Sequence, residues 1–392
     1  MSVSIDEGTN RDEHGLDHGP HGLPPTPPTT VGVIESIATG APSGIFDQSE
    51  AAIRVAALFA DPEQQARIPR VYEKTKIATR RLAVDPLGPE FLEFSQKPGT
   101  IRDRMNLFYT HAVPLAVDVA RRAIAGVGEA EKEIGLLVFV TSTGFIAPGV
   151  DIAVLKELGL PPTVSRIIVN FMGCAAAMNG IRTAVDFVRS NPDKNALVIC
   201  LELSSVNGVF ADDVNDVIIH SLFGDGCGAV VIGASNVQQP LAPGKIVIRN
   251  SFSSLIDGSE DGIVLGVNPN GITCELAENL PKYIYTGVDP VIKDVLHRNG
   301  LQKSDIDLWA IHPGGPKIIS ESARSLGIDS EQAALSWDVL AQYGNMLSVS
   351  LIFVMEQMVR RADTTKPLST GVAFSFAPGV TLEGLIFDIV RQ

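Results

Sequence analysis

The chain of 392 residues has few basic residues, with 31 Lys and Arg against 45 Asp and Glu and a formal net charge of −14. Nucleic-acid binding needs a basic surface, so this deficit argues against a nucleic-acid partner and leaves only a local basic patch for an anionic ligand. The chain also lacks an N-terminal apolar signal region and any apolar run of about 18 or more residues, as a membrane-spanning helix requires. We therefore expect a cytoplasmic protein without an integral membrane segment.

Cysteine is scarce as well, and its pattern argues against two classes of site. The cysteines are widely spaced and form no CxxC pair; they are Cys174, Cys200, Cys227 and Cys274. A disulfide framework or a structural zinc site needs paired or closely spaced cysteines. We expect reduced thiols and no metal site built from them.

Residues 1–30 contain no aromatic side chain and are rich in glycine, proline and polar groups. Such a segment cannot bury enough apolar surface to offset its ordering entropy, so we predict a disordered Gly/Pro-rich tail. The alternative is metal binding, because the tail holds four candidate ligands in close succession, namely His14, Asp17, His18 and His21.

After this tail, short apolar runs alternate with amphipathic stretches. The runs that predict strands are VGVIESIATG, IGLLVFVTST, RIIVNFMG, NALVICLEL, GAVVIGA, KIVIRNSF, DLWAIH, TGVAFSF and LIFDIV. Helical patterns lie between them, namely PLAVDVARRAIAG, CAAAMNGIRTAVDFVRS, PVIKDVLHRNG, PKIISESARSLG and NMLSVSLIFVMEQMVRRA. This alternation predicts an α/β fold with mostly parallel, buried sheets, and the similar succession of elements in both halves fits an internal duplication.

The stretch VNFMGCAAAMNG (169–180) places Cys174 between a strand pattern and an alanine-rich helix pattern. If the strand ends at Gly173, the thiol lies at the helix N-terminus, where unpaired N–H groups and the macrodipole lower a thiol pKa. Cys174 is then a candidate nucleophile. The alternative is small core filling, because free cysteine is among the most buried residue types.

A thiolate that exchanges acyl groups needs a partner for its proton and for the oxyanion that develops. Outside the tail the histidines are His111, His220, His297 and His312. His312 stands apart because it ends the strand pattern DLWAIH and is followed by PGGPK. Side chains at such strand ends project toward the region where α/β proteins place their sites. A structural histidine remains the alternative.

In AQYGNMLSVS (341–350), Gly344 and Asn345 interrupt an otherwise helical apolar pattern. Asn is a poor helix-interior residue because its side chain competes for backbone hydrogen bonds. Its amide is, however, a good neutral donor to a carbonyl oxygen that gains negative charge. Asn345 is therefore a candidate site residue, with an N-cap of the following helix as the alternative.

Taken in order, the stretches VNFMGCAAAM, WAIHPGGPKI and QYGNMLS resemble the type III polyketide synthases, the chalcone-synthase-like branch of the thiolase fold. HSLFGDGCGAVVIG (220–233) and FSFAPGVTLEGLIFDIV (374–390) resemble two further segments of that family. The resemblance covers residues 31–392. It implies a thiolase-like, five-layer αβαβα fold of two similar halves, residues 31–240 with the nucleophile and 241–392 with His and Asn, and a homodimer.

The resemblance also implies a role for each candidate residue. Cys174 would take an acyl group from an acyl-CoA, and His312 would help to keep it as a thiolate. His312 and Asn345 would hold the thioester carbonyl of malonyl-CoA while CO2 leaves, and the enolate would attack the acyl group on Cys174. Repetition and cyclisation would follow. The CoA thioesters are substrates, and neither a metal nor another cofactor is implied.

Several positions that match the substrate cavity of the family differ from the plant enzymes. Phe223 matches an aromatic gatekeeper, whereas Cys274 replaces a second phenylalanine and should widen the entrance. The other cavity positions implied are Thr143, Ala147, Leu265, Leu347 and Phe376. Small residues at some of them and leucines at others resemble the mycobacterial-type enzymes that use long-chain fatty acyl-CoA and release alkyl α-pyrones. The GFGPG loop of the family reads SFAPG here, and Ala377 would be strained if this position needs a positive φ.

The segment RIPRVYEKTKIATRR (67–81) is the local basic patch, with six basic residues and Glu73 as its only acid. It resembles the CoA-contacting segment of the family, which assigns Arg67, Arg70 and Lys74 to the CoA phosphates. Their spacing puts them on one helix face, although Pro69 would allow the helix to begin only there. A solvated surface is the alternative.

Two other enzyme classes use a similar set of residues. A β-ketoacyl-acyl-carrier-protein synthase III shares the fold but condenses once, onto carrier-bound malonate; HPGGPK and GNMLS resemble the polyketide branch more closely. A papain-like protease would have a secretory signal, disulfides and a CGSCW-like context, which this sequence lacks.

Overall fold

A computed structural model of the chain describes residues 30–97, 99–128, 132–209, 214–236, 238–361 and 366–391. The tail predicted to be disordered, with its candidate metal ligands, therefore lies outside the described residues except for Thr30.

The described residues alternate between strands and helices along the chain. The strands are β1 (Thr30–Gly40), β2 (Ile45–Asp47), β3 (Thr79–Arg81), β4 (Ile134–Thr141), β5 (Ser165–Asn170), β6 (Asn195–Leu203), β7 (Asp225–Asn236), β8 (Ile246–Leu255), β9 (Ile263–Asn268), β10 (Gly271–Leu276), β11 (Leu308–Ile311), β12 (Leu368–Ala377) and β13 (Thr381–Val390). The helices are α1 (Gln48–Ala56), α2 (Pro62–Lys74), α3 (Pro89–Ser95), α4 (Ile101–Ala125), α5 (Val150–Glu157), α6 (Ala176–Ser190), α7 (Val214–Leu222), α8 (Leu280–Arg298), α9 (Pro316–Leu326), α10 (Ala334–Tyr343) and α11 (Ser350–Arg360).

Nine of these strands form one sheet in the order β11-β12-β13-β8-β1-β7-β6-β4-β5. They are the strands that the apolar runs predict. The first four belong to the second half of the chain and the other five to the first half, and β8 meets β1 through a short antiparallel pairing. The expectation of a mostly parallel sheet is wrong. Only β11–β12, β4–β5 and β4–β6 run parallel in this sheet. Sequential strands such as β12 and β13 are joined by a short turn and therefore pair antiparallel, without a helical crossover.

The layers follow from the alternation of side chains along each strand. In β6, Leu197 and Ile199 pack with α4, whereas Ala196 and Val198 pack against α6 and α11 on the other face. Strands of the second half contribute to the same central cluster, and their opposite faces pack with α8. The first-half strands and the second-half strands of the sheet therefore form two separate layers. The layer order is helix, sheet, the central pair α6 and α11, sheet, helix, which confirms the five-layer αβαβα prediction.

The central helix α6 lies close to the first-half strands because its residues there are small. Ala176, Ala177 and Ala184 are fully buried, and a Cβ at Gly180 would lie 3.0 Å from Val140 Cγ2 and 3.1 Å from Val198 Cγ1. A larger residue at Gly180 would overpack this layer, which typically costs about 1–3 kcal/mol. The tight packing buries the start of α6, directly after the turn that carries Cys174.

Candidate active site

The Cys174 turn, residues 171–175, connects β5 to α6. The strand ends at Asn170 rather than at Gly173, and the chain reverses through positive φ angles at Phe171 (57°) and Gly173 (58°). Cys174 then lies in a short 3-10 helix, Gly173–Ala175, ahead of α6. Gly173 N donates to Ser142 Oγ at 3.1 Å, which fixes the turn beside β4. This backbone presents the thiol at the start of a buried helix, as the sequence predicts.

His312 follows the last residue of β11. Its backbone N donates to Phe374 O at 3.0 Å, and its side chain is 2% exposed. Within the described part of the chain, neither ring nitrogen has a hydrogen-bond partner. A Cβ at Gly314 would lie 3.1 Å from Nε2, so the missing side chain there makes room for the imidazole. A buried imidazole with both nitrogens unused is poised for a ligand.

The Asn345 turn, residues 344–349, connects α10 to α11. Asn345 N donates to Leu222 O at 2.8 Å, and its Oδ1 accepts from Leu347 N at 2.8 Å. Its Nδ2 donates to Gly314 O at 3.2 Å and lies 4.0 Å from Cys174 Sγ. The N-cap of α11 is Val349. Asn345 therefore directs its amide donor to the thiol, and its carbonyl end holds the turn.

Cys174, His312 and Asn345 line one buried space, the catalytic chamber. Most of its remaining lining is apolar and includes Phe376, as the sequence predicts. The strain expected at Ala377 is absent, because β12 continues through this residue and the positive φ of 121° falls at Gly379. The chamber thus brings a nucleophile, an imidazole and an amide donor together in a setting of low polarity.

A second space, the inner chamber, adjoins the catalytic chamber. Four residues line both chambers and form a partition between them: Phe223, Leu265, Cys274 and Leu347. Thr143 lines the inner chamber only. Ala147 lies outside both chambers and is exposed to solvent, beside Phe145 in the loop after β4. All other cavity positions implied by the resemblance therefore meet around the two chambers.

Phe223 is held in the partition by its backbone. Arg80 Nη1 donates to Phe223 O at 3.0 Å, and Arg80 Nε donates to Gln48 Oε1 at 2.9 Å. Gly224 N donates to Asn345 O at 2.9 Å, so the partition and the Asn345 turn are bonded to each other. Arg80 is 5% exposed. Although it belongs to the basic segment of the sequence, it is a buried structural residue and does not contribute to a surface patch.

Burial controls the protonation of the catalytic chamber. It raises the pKa of the Cys174 thiol, an effect to which Cys274 adds and which the hydrogen bond from Asn345 opposes. Burial also lowers the pKa of His312 to about 3. Both shifts favour the neutral thiol and the neutral imidazole, because burial removes the solvation of either charge, and they oppose the thiolate that the resemblance implies.

Sequence reasoning missed Glu202, which is fully buried in β6. It accepts hydrogen bonds from Ser142, Thr143 and Ser348, and burial raises its pKa to about 7. The signal was available, because NALVICLEL places one carboxylate in an otherwise apolar strand, and a buried carboxylate needs dedicated donors.

The basic residues assigned to CoA lie on α2. This helix begins at Pro62 after an Asp61 cap and continues through Pro69. It therefore starts seven residues before Pro69, the position at which the sequence allowed it to begin. The residues Arg67, Arg70 and Lys74 are exposed on one face. Within the described residues, none of these side chains forms an ion pair. They lie outside both chambers, but α2 packs against α7, which ends next to Phe223.

Over the described residues, no group of three or more His, Cys, Asp and Glu side chains is arranged to hold a metal ion. The helices in that part of the chain are also too short or too polar to cross a membrane.

Comparison with known proteins places the chain among polyketide synthases. The "alpha-pyrone synthesis polyketide synthase-like Pks18" of Mycobacterium tuberculosis is 66% identical over 394 aligned residues, which cover 100% of both chains. Polyketide synthase 37 of Dictyostelium discoideum is 32% identical over 336 residues, which cover 83% of this chain and 11% of that protein. The crystal structure of PKS-I from the brown alga Ectocarpus siliculosus matches with a TM-score of 0.85 and 40% identity, over 92% of this chain and 99% of that one.

The family assignment rests on both halves of the chain. Residues 29–236 match the N-terminal domain of the chalcone and stilbene synthases, and residues 248–391 match their C-terminal domain. Both domains occur in order, and a full-length relative is a polyketide synthase, so the chain belongs to the chalcone and stilbene synthase family, the type III polyketide synthases, which are condensing enzymes of the acyltransferase type.

Proposed function

We propose that the enzyme loads a long-chain fatty acyl group from acyl-CoA onto Cys174, extends it with malonyl-CoA and releases alkyl α-pyrones. The observation that carries this proposal is the catalytic chamber, where Cys174, His312 and Asn345 meet, and its partition from a second chamber. The full-length relative described as an alpha-pyrone synthesis enzyme supports the product class.

Loading begins when Cys174 Sγ attacks the thioester carbonyl and CoA leaves as its thiol. Because His312 is neutral in the chamber, its imidazole can take the proton from Sγ and return it to the departing CoA sulfur. Asn345 Nδ2, which lies 4.0 Å from Sγ, is near enough to donate to the oxygen that gains charge. Loading can therefore start from a neutral thiol and a neutral imidazole.

Extension uses the same two donors at a different oxygen. His312 and Asn345 bind the thioester carbonyl of malonyl-CoA, CO2 leaves, and the enolate forms with its charge on the hydrogen-bonded oxygen. The enolate carbon then attacks the acyl group on Cys174, and the thiolate that leaves is regenerated for the next cycle. Decarboxylation supplies the carbanion, so we propose that neither a metal nor another cofactor takes part.

The inner chamber is the proposed site of the starter chain. Its apolar lining includes Leu82, Ile219 and Ile272 in addition to the partition. Cys274 is the smallest residue of the partition, and it stands where the plant enzymes carry a phenylalanine. A passage at this point would let an alkyl chain extend past Phe223 from the acyl group on Cys174.

The exposed face of α2 is the proposed site of the CoA phosphates. Arg67, Arg70 and Lys74 follow each other at helical spacing, and their charges, which form no ion pair with the described residues, suit phosphate groups in a protein of net charge −14. The double variant Arg70→Glu/Lys74→Glu should raise the KM for malonyl-CoA and leave kcat nearly unchanged. Lys282→Glu on α8 is the matched control, and an unchanged KM in the double variant would remove the assignment.

We also propose that the enzyme is a homodimer built through β5. This strand lies at the edge of the sheet, and its Ile167 and Ile168 are 40% and 46% exposed, beside Phe145 at 60%. An apolar strand edge of this kind needs a cover. Ala147 lies on the same loop as Phe145, so it would reach the partner rather than its own chamber. Analytical ultracentrifugation should detect a dimer that Ile168→Lys dissociates, and a monomeric wild-type protein would contradict this.

The substrates also suggest a place in the cell. Acyl-CoA and malonyl-CoA are pools of the cytoplasm, and the cysteines are free thiols. We propose that the enzyme works there.

Product analysis over a series of acyl-CoA starters tests the proposed reaction. Purified enzyme with malonyl-CoA should form triketide and tetraketide pyrones from long-chain saturated starters, as identified by mass spectrometry. A single condensation that depends on carrier protein would instead support the synthase III type of reaction. Efficient use of aromatic starters with no use of long-chain starters would overturn the starter assignment.

A further inference from the structure

We propose that Glu202 is a positioning residue that holds the Cys174 turn and the Asn345 turn in one fixed arrangement. The inference rests on the proposed roles of Cys174 and Asn345 but goes beyond them, because Glu202 lines neither chamber. Its side chain is 0% exposed and lies in β6, between the two turns. The two oxygens of its carboxylate divide their hydrogen bonds between the two halves of the chain.

Oxygen Oε2 serves the nucleophile side. It accepts from Ser142 N at 2.9 Å and from Thr143 Oγ1 at 2.8 Å. Ser142 in turn uses its hydroxyl to accept from Gly173 N at 3.1 Å. A chain of two hydrogen bonds therefore leads from Glu202 to the residue that precedes Cys174.

Oxygen Oε1 serves the amide side. It accepts from Ser348 Oγ at 2.6 Å. Ser348 is fully buried and lies in the 3-10 helix Leu347–Val349, directly after the residue whose backbone N–H bonds to Asn345 Oδ1. The carboxylate thus links β6 of the first half to the turn of the second half that carries the amide donor.

The donors around Glu202 suit its ionised form. The side chain hydroxyls and backbone N–H all donate, so a charged carboxylate satisfies each of them, whereas a protonated one would turn one acceptor oxygen into a donor. Burial raises the pKa of Glu202 to about 7, so the link would weaken as the pH falls through neutrality. The titratable groups whose charges couple to it are the thiols of Cys174 and Cys200.

The variant Glu202→Gln tests this role with little change in volume. The amide keeps one acceptor for Ser348 but cannot accept from both Ser142 and Thr143. Acylation of Cys174 should slow by about 10- to 100-fold, the loss expected when charge-assisted hydrogen bonds are removed. Intact-protein mass spectrometry over time measures this rate. Asp388→Asn is the matched control. Asp388 lies in β13, is 6% exposed and accepts hydrogen bonds from Arg249 and Thr370.

The pH profile separates positioning from simple stability. The wild-type acylation rate should fall as the pH drops through about 7, and this limb should be absent in Glu202→Gln. Asp225, whose pKa burial raises to about 6, remains in the variant, so the loss of the limb would identify Glu202. Acylation at the wild-type rate with an unchanged profile would overturn the proposal.

A double-mutant cycle keeps the proposal testable even if Glu202→Gln folds poorly. Ser142→Ala should slow acylation, and Ser348→Ala should slow malonyl-CoA decarboxylation. Measured on the acylation rate in otherwise wild-type protein, the effects of Ser142→Ala and Ser348→Ala should be non-additive, because both pass through Glu202. Additive effects in the wild type would overturn the link. Acylation that persists in Cys174→Ala would instead refute the proposed nucleophile, so the two failures are distinguishable.

Discussion

The Cys174 turn and the Asn345 turn open the two central helices in a similar way, but they hold their functional side chains differently. Each enters through residues of positive φ and a short 3-10 helix before α6 or α11 begins. The Asn345 amide is bonded at both ends, to Leu347 N and to Gly314 O. Among the described residues, the hydrogen-bond geometry places only the Asn345 amide near Cys174 Sγ, at 4.0 Å.

This difference fits the tasks proposed for the two residues. A nucleophile that carries a growing acyl chain must be able to move between loading and extension, so loose contacts suit it. A donor that stabilises a developing charge works best when it is fixed before the reaction, because no reorganisation energy is then needed. Similar backbones therefore carry a side chain with few polar contacts in one half and a hydrogen-bonded amide in the other.

Removal of each functional side chain should give the largest difference between the two turns in the rates of acylation and decarboxylation. Cys174→Ala should abolish acylation, a loss of about 10³-fold or more, while malonyl-CoA decarboxylation continues at His312 and Asn345. Asn345→Ala should reduce decarboxylation by about 10²- to 10³-fold, as for the loss of one oxyanion donor, and should slow acylation less, because the nucleophile Cys174 remains. Intact-protein mass spectrometry measures the acylation, and release of CO2 from malonyl-CoA measures the second step.

Cys200→Ala is the control for this pair of variants. Cys200 is a buried thiol in β6 that lines neither chamber, so its removal should leave both steps intact. If Asn345→Ala slows acylation as much as decarboxylation, the two turns do not act separately and the comparison fails.

Substitution of alanine for a glycine should lower the free energy of unfolding by different amounts in the two turns. Gly344 has φ 70° and ψ −163°, a region open almost only to glycine, and its Cβ would lie 2.7 Å from Leu222 O. A Cβ at Gly173 (φ 58°) would meet Pro378 Cδ at 3.0 Å. Gly344→Ala should therefore destabilise by about 3 kcal/mol and Gly173→Ala by about 1–2 kcal/mol. Denaturant unfolding measures both, and equal costs would show that the Asn345 turn is not the more rigid one.

His312 adjoins the Asn345 turn through Gly314, and its titration should appear in the stability of the fold. Burial lowers its pKa from the ordinary 6.5 to about 3. Above pH 6.5 the folded and unfolded states are both neutral here, and this contribution is fully present. As the pH falls toward about 3, only the unfolded state binds the proton, so stability is lost.

The variant His312→Gln should therefore lose less thermal stability than the wild type between about pH 6.5 and 4. His220, whose pKa burial lowers to about 4, titrates in the same direction and remains in the variant, so some acid sensitivity will persist. A series of Tm measurements against pH checks this. Parallel curves for the two proteins would mean that the imidazole is not held neutral in the fold.

Most of the layered fold could be predicted from apolar periodicity. The nine predicted strands form the large sheet, and the five predicted helical patterns lie in α4, α6, α8, α9 and α11, which form the helical layers. Elements outside these layers, such as α3 and the β9–β10 hairpin, bury little apolar surface and so have weak patterns. Strand direction was predicted wrongly because periodicity does not encode which neighbour a buried strand pairs with.

The site residues were predictable where a chemically reactive or polar side chain falls at a break in a regular backbone pattern. Cys174, His312 and Asn345 each interrupt a regular pattern at a turn, and the structure brings them into one chamber. The protonation state of the catalytic chamber could not be predicted, because it depends on how distant segments pack around the thiol and the imidazole. Glu202 is an intermediate case: the sequence marks it as unusual, but only the structure identifies the donors it serves.

The smallest difference between the two turns concerns the one serine hydroxyl that accepts a hydrogen bond from each of them. Ser142 Oγ accepts from Gly173 N at 3.1 Å, and Ser350 Oγ accepts from Met346 N at 2.7 Å. Alanine at either position removes one buried acceptor, so each variant should lose about 1 kcal/mol of unfolding free energy. Ser142→Ala should also slow acylation, because it frees the residue before Cys174, whereas Ser350→Ala should leave acylation unchanged. If Ser350→Ala slows acylation equally, the hydroxyls contribute only to stability, and the Cys174 turn does not depend on its own serine.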